Sequence, residues 1–407
     1  MYGYKLHGYV PEPQPVRSDY TILAHYYPGW KREPGAPHNG FFDLHDYPER
    51  TPLLGYYDET SPEVFDWQIK WAVEHGINCF VHCWYRKREN VGSPLTDADI
   101  RFGHSISDGF FRARYKNYMQ FAIMWECDWG RAKDQNDLTE NLIPYWAEHY
   151  FSDPTYLKIG GAPVVFIYGV TKMIREIGGV EAAKEAVAAA KEKMRSLGFT
   201  GIHFSSLHSA PDLDETNDFW FSLNTHKAIG FDSTFQYNWG IRTKEDLTEA
   251  QYADYLRNGC MLPADTVIAF VEKQIERRIA YDPDFCIFTV NSMLDSKPWF
   301  EIFHLDPKGP YAQFHLTPTE WKRELEMVKA KLDTLPDGCL SKRFILLDNW
   351  NEWGEGHYIC PSLGSGFQYL EAVRDVLTKR DNLPDYRLPE TLELGPYDVM
   401  WRKNDGI

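Results

Sequence analysis

The chain has 407 residues, 43% of them hydrophobic and 15% aromatic, with 59 acidic against 43 basic side chains and a net charge of −16. That length and apolar share suffice for a large buried core and exclude a disordered chain. The acidic balance, without a long Lys/Arg run, excludes a phosphate-tracking surface, so no nucleic-acid partner is expected.

Short β-branched and aromatic runs predict strands at 21–26 (TILAHY), 77–84 (INCFVHCW), 119–125 (MQFAIMW), 163–168 (PVVFIY), 200–206, 230–236, 284–290 and 343–348. Helices are predicted between them. One covers 62–75, with Ser61 as N-cap, Pro62 in the first turn and Gly76 as stop, and another covers 180–197, rich in Ala, Glu and Lys and stopped by Gly198. A third, 265–279, places Val267, Ile268, Val271, Ile275 and Ile279 on one face, and 318–333 opens on Thr317, Pro318 and Glu320 in capping-box spacing. Eight buried-looking strands with intervening helices predict a (β/α)8 TIM barrel, with an open doubly wound sheet as the alternative. No G-x-G-x-x-G follows the first strand and no G-x-x-x-x-G-K-[ST] occurs. Residues 1–407 read as one catalytic domain with a short extension (1–19) and an extended tail from 380 carrying Pro384, Pro389 and Pro396.

Cys79, Cys83, Cys127, Cys260, Cys286, Cys339 and Cys360 are odd in number and form no Cys-x-x-Cys pair, so neither a disulfide framework nor a zinc ribbon is expected. The first twenty residues lack a charged leader followed by an apolar stretch, and no run of 18 apolar residues occurs. The chain as given therefore reads as soluble, with no membrane partner; one trimmed of an export signal would read the same.

A TIM barrel builds its active site at the C-terminal ends of its strands. Those exits carry His25, Tyr26, Tyr27 and Trp30 after strand 1; His82, Trp84, Tyr85 and Arg86 after strand 2; Trp125, Glu126, Asp128 and Trp129 after strand 3. Tyr168 ends strand 4, Ser205 and His208 mark strand 5, and Gln236, Tyr237 and Trp239 follow strand 6. Asn291, Asp295 and Trp299 follow strand 7, and Asp348, Asn349, Trp350, Asn351, Glu352, Trp353 and Glu355 follow strand 8. With 14 tryptophans and 25 tyrosines on an acidic chain, this pattern suits a groove that stacks on an uncharged polymer. Aromatic core packing is the structural alternative for about two thirds of these aromatics; beside the paired carboxylates of the strand-8 exit, the exposed remainder suggests sugar chemistry on an oligo- or polysaccharide.

The stretch LDNWNEWGEG, 347–356, is the densest of these exits. In a helical turn Glu352 and Glu355, at i and i+3, would share a face, with Gly354 and Gly356 permitting the turns that aim them inward. Two carboxylates at a glycosidic bond can divide acid and base work, and Trp350 and Trp353 would supply an apolar wall that keeps one protonated. The structural alternative is a capped helix start with core tryptophans. His25 and His82 could be metal ligands with Glu126 or Asp128, but no H-x-H or H-E-x-x-H spacing supports it; neither a metal nor another cofactor is expected.

NEWGEG followed by QYLEAV, with PLLGYYDETSPEVFDWQIKWAVEHGINCFVHCWY near the N-terminus, resembles the WbsX family of glycoside hydrolase family 99-like proteins, whose relatives include endo-α-mannosidases. The resemblance covers about residues 20–378 and implies a (β/α)8 barrel and a carbohydrate substrate. It also implies a retaining reaction in which Glu352 serves the sugar's 2-hydroxyl, forming an anhydro-sugar intermediate, and Glu355 is the general acid/base. After strand 3 the chain departs from the family's Trp-Ala-Asn-Glu-x-Trp text, reading Trp125-Glu126-Cys127-Asp128-Trp129, so mannose specificity is not implied. A glycosyltransferase of polysaccharide biosynthesis is the other enzyme class; it would want a D-x-D metal site or a basic diphosphate clamp, neither obvious in the sequence. A catalytically silent glycan-binding barrel is a third reading.

Overall fold

The computed structural model describes residues 8–31, 40–128, 130–306, 308–395 and 397. Eight strands form the barrel: β1 (Thr21–Tyr26), β2 (Cys79–Arg86), β3 (Gln120–Glu126), β4 (Ala162–Tyr168), β5 (His203–Leu207), β6 (Ser233–Phe235), β7 (Phe288–Val290) and β8 (Phe344–Leu347). All neighbours pair in parallel, in the order β7-β8-β1-β2-β3-β4-β5-β6. Leu23 of β1, for instance, sits in register with Leu346 on one side and Cys79 on the other. The remaining gap is closed by Thr234, whose N–H donates to Phe285 at 2.8 Å and whose carbonyl accepts from Ile287 at 2.8 Å. The expected (β/α)8 barrel is therefore present, with every expected strand in it.

Strands 5, 6 and 7 are shorter at their starts than their apolar runs suggested. Gly201 and Gly230 precede β5 and β6 with φ of +148° and +98°, outside strand geometry. Gly230 caps the helix Leu223–Ile229, and ahead of β7 residues 285–287 are engaged in the barrel closure.

The four expected helices form as α1 (Pro62–Glu74), α2 (Val180–Ser196), α3 (Ala264–Tyr281) and α4 (Pro318–Asp333), followed by α5 (Gln368–Leu377). Ser61 caps α1 by accepting from the Val64 N–H, and Thr317 with Glu320 forms the capping box of α4. Lys70 and Glu74 of α1 are buried because the tail lies over them. Asp385 reaches Lys70 at 3.3 Å, its N–H donates to Glu74 at 2.9 Å, and the Trp67 indole donates to Tyr397 at 3.0 Å. Among the described residues, no helix is long and apolar enough to cross a membrane.

Two excursions raise walls above the C-terminal mouth. After β2 the chain returns antiparallel along Tyr85 and Arg86 through Ile100–Arg101. After β7, Met293–Leu294 pairs antiparallel with Gln313–His315, and the segment between them carries Trp299, Phe303 and Leu305 over the barrel. The first excursion is anchored by Arg86, which is fully buried, bonds both oxygens of Asp137 at 2.6 and 3.1 Å and donates to the carbonyls of Asn90 and Ser93. Removing one partner of such a pair strands the other charge in the core. Arg86→Met is expected to destabilise the protein by roughly 3–5 kcal/mol, measured as a shift in urea unfolding; a change within 0.5 kcal/mol, the ordinary scatter of surface substitutions, would remove Arg86 from this role.

Candidate active site

The stretch after β8 is built as a hairpin, not as the helical turn expected from the i, i+3 spacing. Asn351–Glu352 pairs antiparallel with His357–Tyr358, so Glu352 faces His357 across the ladder. The turn closes because Gly356 adopts φ +75°, a left-handed conformation that costs glycine little. Gly354 is required for a different reason: the Trp299 ring packs where a side chain would start, and a Cβ there would lie 2.0 Å from Cζ2.

The hairpin hangs over a cavity of about 700 Å³ at the C-terminal mouth. Of the expected site residues, Tyr27, Tyr85, Glu126, Tyr168, Trp299, Glu352 and Glu355 line it. The others stand behind it. Strand alternation is the reason, because successive side chains point to opposite faces. Cys83 and Tyr85 face inward, whereas His82 and Trp84 point into the helical layer, where His82 packs on Tyr26 and Phe110 and the Trp84 indole donates to Tyr150 at 3.1 Å. In the same way Met124 and Glu126 line the cavity while Trp125 packs on Trp146, and Tyr26 stacks outward on Phe65.

The rest form supports for the lining. Trp30 lies parallel to Trp299, with ring centroids 6.4 Å apart. Asn349 donates to the Tyr237 hydroxyl at 2.6 Å, and Asn291 accepts from the Trp239 N–H at 3.1 Å. Asp295 pairs with Arg50 at 3.1 Å, and Gln236 donates to the His208 carbonyl at 3.3 Å. Asn351 bridges the backbone of Tyr27, accepting from its N–H at 2.7 Å and donating to its carbonyl at 2.9 Å. Trp350 and Trp353 are fully buried, the first donating to Gln68 at 3.1 Å and the second packed on Tyr358. The apolar faces toward the cavity come from Tyr27, Tyr85, Phe102, Tyr168, Tyr237, Trp299, Phe303 and Leu305 instead. Trp129 lies outside the described residues.

Asp128 and Tyr237, at the exits of strands 3 and 6, line the cavity as well. Two groups escaped the sequence reading. Arg88, Arg101 and Arg131 line the cavity from excursions whose course no local pattern reveals. His357 sits two residues beyond Glu355, and only the hairpin pairing shows that it faces the glutamates.

The two glutamates differ in environment. Glu352 is 4% exposed, whereas the Glu355 side chain is 39% exposed. Burial, reinforced by the Glu355 carboxylate, pushes Glu352 well above the usual carboxylate range, against the backbone N–H groups of Gly354 and Glu355 that donate to it. Glu126 is also pushed up, to about 7, because burial outweighs the adjacent Arg131 guanidinium. Arg131 holds Glu126 and donates to the carbonyls of Asp128 and Arg86. Behind the site, burial raises Glu324 of α4 to about 8 even though it accepts the Asn291 N–H at 2.8 Å. A second cavity of about 540 Å³ adjoins the first and shares Tyr168, Tyr237, Leu305 and Glu355 with it.

A family model described as Glycosyltransferase WbsX matches residues 30–373. Two curated relatives, each named uncharacterized protein WxcX and each from a strain of Xanthomonas campestris pv. campestris, are 22% identical over 350 residues, or 83% of this chain and 44% of the relative. The chain thus spans less than half the length of the curated relatives it matches. Among solved structures, the GH99 endo-alpha-mannosidase from Bacteroides thetaiotaomicron is similar with a TM-score of 0.55 at 17% identity, over 95% of this chain and 98% of that one. A glycoside hydrolase-like protein gives a TM-score of 0.59 at 14% identity, over 91% and 98%. At these identities the likeness is one of fold, a glycoside-hydrolase-like barrel.

Two predictions follow from the packing and burial of this site. Gly354→Ala is expected to displace Trp299 and destabilise the protein by about 1–3 kcal/mol, the usual cost of forcing atoms into filled space; unchanged stability together with an unmoved Trp299 in a crystal structure would refute the packing argument. Glu324 concerns pH. Its folded-state value of about 8 exceeds the unfolded carboxylate value near ~4.3, so the folded state holds a proton the unfolded chain has released, and stability falls as pH rises through that window. Glu324→Gln should remove up to about 1.4 kcal/mol per pH unit of that slope, so urea midpoints of variant and wild type should diverge steadily from pH 5 to pH 8.

Proposed function

The chain belongs to the WbsX family, and we propose that it is a glycoside hydrolase cleaving a glycosidic bond in a complex glycan through Glu352 and Glu355. The observation that carries this reading is the pair itself: one buried and one half-exposed carboxylate on a single hairpin, lining one aromatic-walled cavity at the mouth of a hydrolase-like barrel.

The chemistry balances on one proton. Two carboxylates sharing a site do not both ionise readily, and their protons belong to the pair. In the first step Glu352 takes the proton of the sugar's 2-hydroxyl, that oxygen attacks the anomeric carbon, the glycosidic C–O bond breaks, and the leaving oxygen receives the proton of Glu355. In the second, Glu355 takes a proton from water, the water oxygen opens the anhydro ring at the anomeric carbon, and Glu352 returns its proton to the 2-oxygen. Two displacements at one carbon retain its configuration. Before substrate arrives, burial favours the proton on Glu352. A 2-hydroxyl donating to Glu352 stabilises its ionised form, and a glycosidic oxygen accepting from Glu355 stabilises the acid, so productive binding draws the proton across the pair. Burial also makes the Glu352 carboxylate, once formed, a stronger base than a solvated one.

The family model's description favours a second reading, transfer from an activated sugar donor to an acceptor hydroxyl. The two separate in one assay: product release from mannans, rhamnose-rich and host-type polysaccharides without nucleotide sugar, by wild type, Glu352→Gln and Glu355→Gln. Hydrolysis predicts release by wild type and a loss of at least about 100-fold in each folded variant, the usual scale of a removed acid or base. On aryl glycosides of the same sugar, whose leaving group needs no acid, Glu355→Gln should recover its first step while Glu352→Gln stays inactive. Full activity in both variants sinks the pair, and product only with nucleotide sugar and acceptor establishes the transferase.

A further inference from the structure

Asp348 is the first residue beyond β8, and His357 closes the hairpin that carries both glutamates. Both side chains are fully buried, and His357 Nδ1 lies 2.7 Å from Asp348 Oδ1, donating to it. The other ring nitrogen, Nε2, lies 3.9 Å from Glu355 Oε2. Tyr237 covers the imidazole face with centroids 6.0 Å apart, and Asn349 holds the Tyr237 hydroxyl in place. The imidazole thus lies between a buried carboxylate that it bonds and, beyond hydrogen-bond distance on its other side, the more exposed member of the candidate catalytic pair, without itself lining the cavity.

We infer that the Asp348–His357 pair is a positioning and charge-tuning device for Glu355, presenting an imidazolium that stabilises the carboxylate formed when Glu355 gives its proton to the leaving oxygen. The inference rests on the hydrolase reading above. With Nδ1 committed to Asp348, Nε2 is the nitrogen free to face Glu355. Burial opposes charge on the ring, but Asp348 and then Glu355 outweigh it and raise His357 above the ordinary histidine value. Asp348 itself is raised to about 6 by burial, with His357 pulling it back.

The other groups around the ring leave that balance intact. Arg50 opposes the cation from the loop before α1, but it is neutralised by Asp295 at 3.1 Å. His25 of β1 is kept neutral by burial, lowered to about 3. Glu352, across the hairpin, adds negative charge when ionised, and Glu324 of α4 acts electrostatically on Asp348. A cation 3.9 Å from Glu355 would favour the carboxylate that forms as the proton leaves in the first step and that waits as base for the second.

The test is the pH dependence of kcat for wild type, His357→Gln and Asp348→Asn on whichever of the mannan, rhamnose-rich or host-type polysaccharides wild type cleaves, with thermal melts reporting folding. Without the cation the acid keeps its proton to higher pH, so the descending alkaline limb should move up by about one pH unit, the shift expected from losing one nearby charge. The fall in kcat should shrink on aryl glycosides, while KM changes little. A merely structural role would lower kcat and leave the limb in place, and that outcome overturns the inference. Should the variants not fold, 15N-histidine NMR of the wild type decides: a buried imidazole protonated on both nitrogens at pH 7 supports it, and a neutral ring there overturns it. Failure of wild type to release sugar from any of the glycans overturns the hydrolase reading and the tuning role with it, whereas release with an unmoved limb overturns the tuning role alone.

Discussion

The seam between the first and last strands governs the site. Beyond the ends of β1 and β8 the backbone ladder would stop, but the chain continues it by other means. The Trp350 N–H donates to the His25 carbonyl at 2.6 Å, and the Asn351 amide reads the Tyr27 N–H and carbonyl as a strand neighbour would. Trp30 then donates to the Asn351 carbonyl at 2.7 Å, while its own N–H is held by the buried Glu59 at 3.1 Å. A closed barrel is rigid because every strand has two neighbours. Extending one of its seams past the strand ends passes that rigidity to the hairpin, so Glu352 is held by the barrel rather than by a free loop.

Placing carboxylates there costs stability. Glu59, Glu126, Glu324, Asp348 and Glu352 are all buried and all pushed upward by it. Desolvating a charge is expensive, and a protein selected for stability alone would not gather five such groups around one end of a barrel. The compensation is local: Arg131 for Glu126, His357 for Asp348, backbone N–H groups for Glu59 and Glu352. Perturbed titratable groups concentrate at functional sites, and of these five Glu126 and Glu352 line the cavity while Glu59, Glu324 and Asp348 stand behind it.

What the sequence disclosed follows from the range of the interactions involved. The strands were legible because runs such as TILAHY and RFILLD are buried on both faces, and the helices because Ser61, Thr317 and Gly198 are local signals. The position of Glu352 and Glu355 was legible because a strand exit in a barrel has a fixed destination. The choice of lining residues was less so: consecutive residues at an exit cannot all face one cavity, and alternation assigns Tyr27 and Tyr85 to it while sending Tyr26, His82 and Trp84 outward. The hairpin was hidden because its stability lies in partners far along the chain, Trp299 against Gly354 and Tyr27 against Asn351. His357 was hidden for the same reason, since nothing in its immediate neighbours distinguishes it from a core histidine such as His25.

The family's transferase description and the hydrolase-like fold are compatible at the level of the proposed chemistry. Once the glycosidic bond has broken, the remaining step needs only a base that activates whichever hydroxyl approaches the anomeric carbon. Glu355 borders both cavities and is the more exposed of the pair, so in the proposed mechanism the same carboxylate would serve water or an acceptor sugar. On that chemistry, occupancy of the second cavity during the lifetime of the intermediate would separate the outcomes. Its walls combine Leu207, Trp220, Leu294, Phe300 and Tyr311 with the polar Ser209, Asn238, Ser296, Asp306 and Gln313, a mixture of apolar faces and hydrogen-bonding groups of the kind found in small-molecule pockets. On the proposed chemistry, an acceptor held there by stacking would outcompete water through effective concentration, and hydrolysis and transfer would then differ in the affinity of one cavity with the carboxylates unchanged.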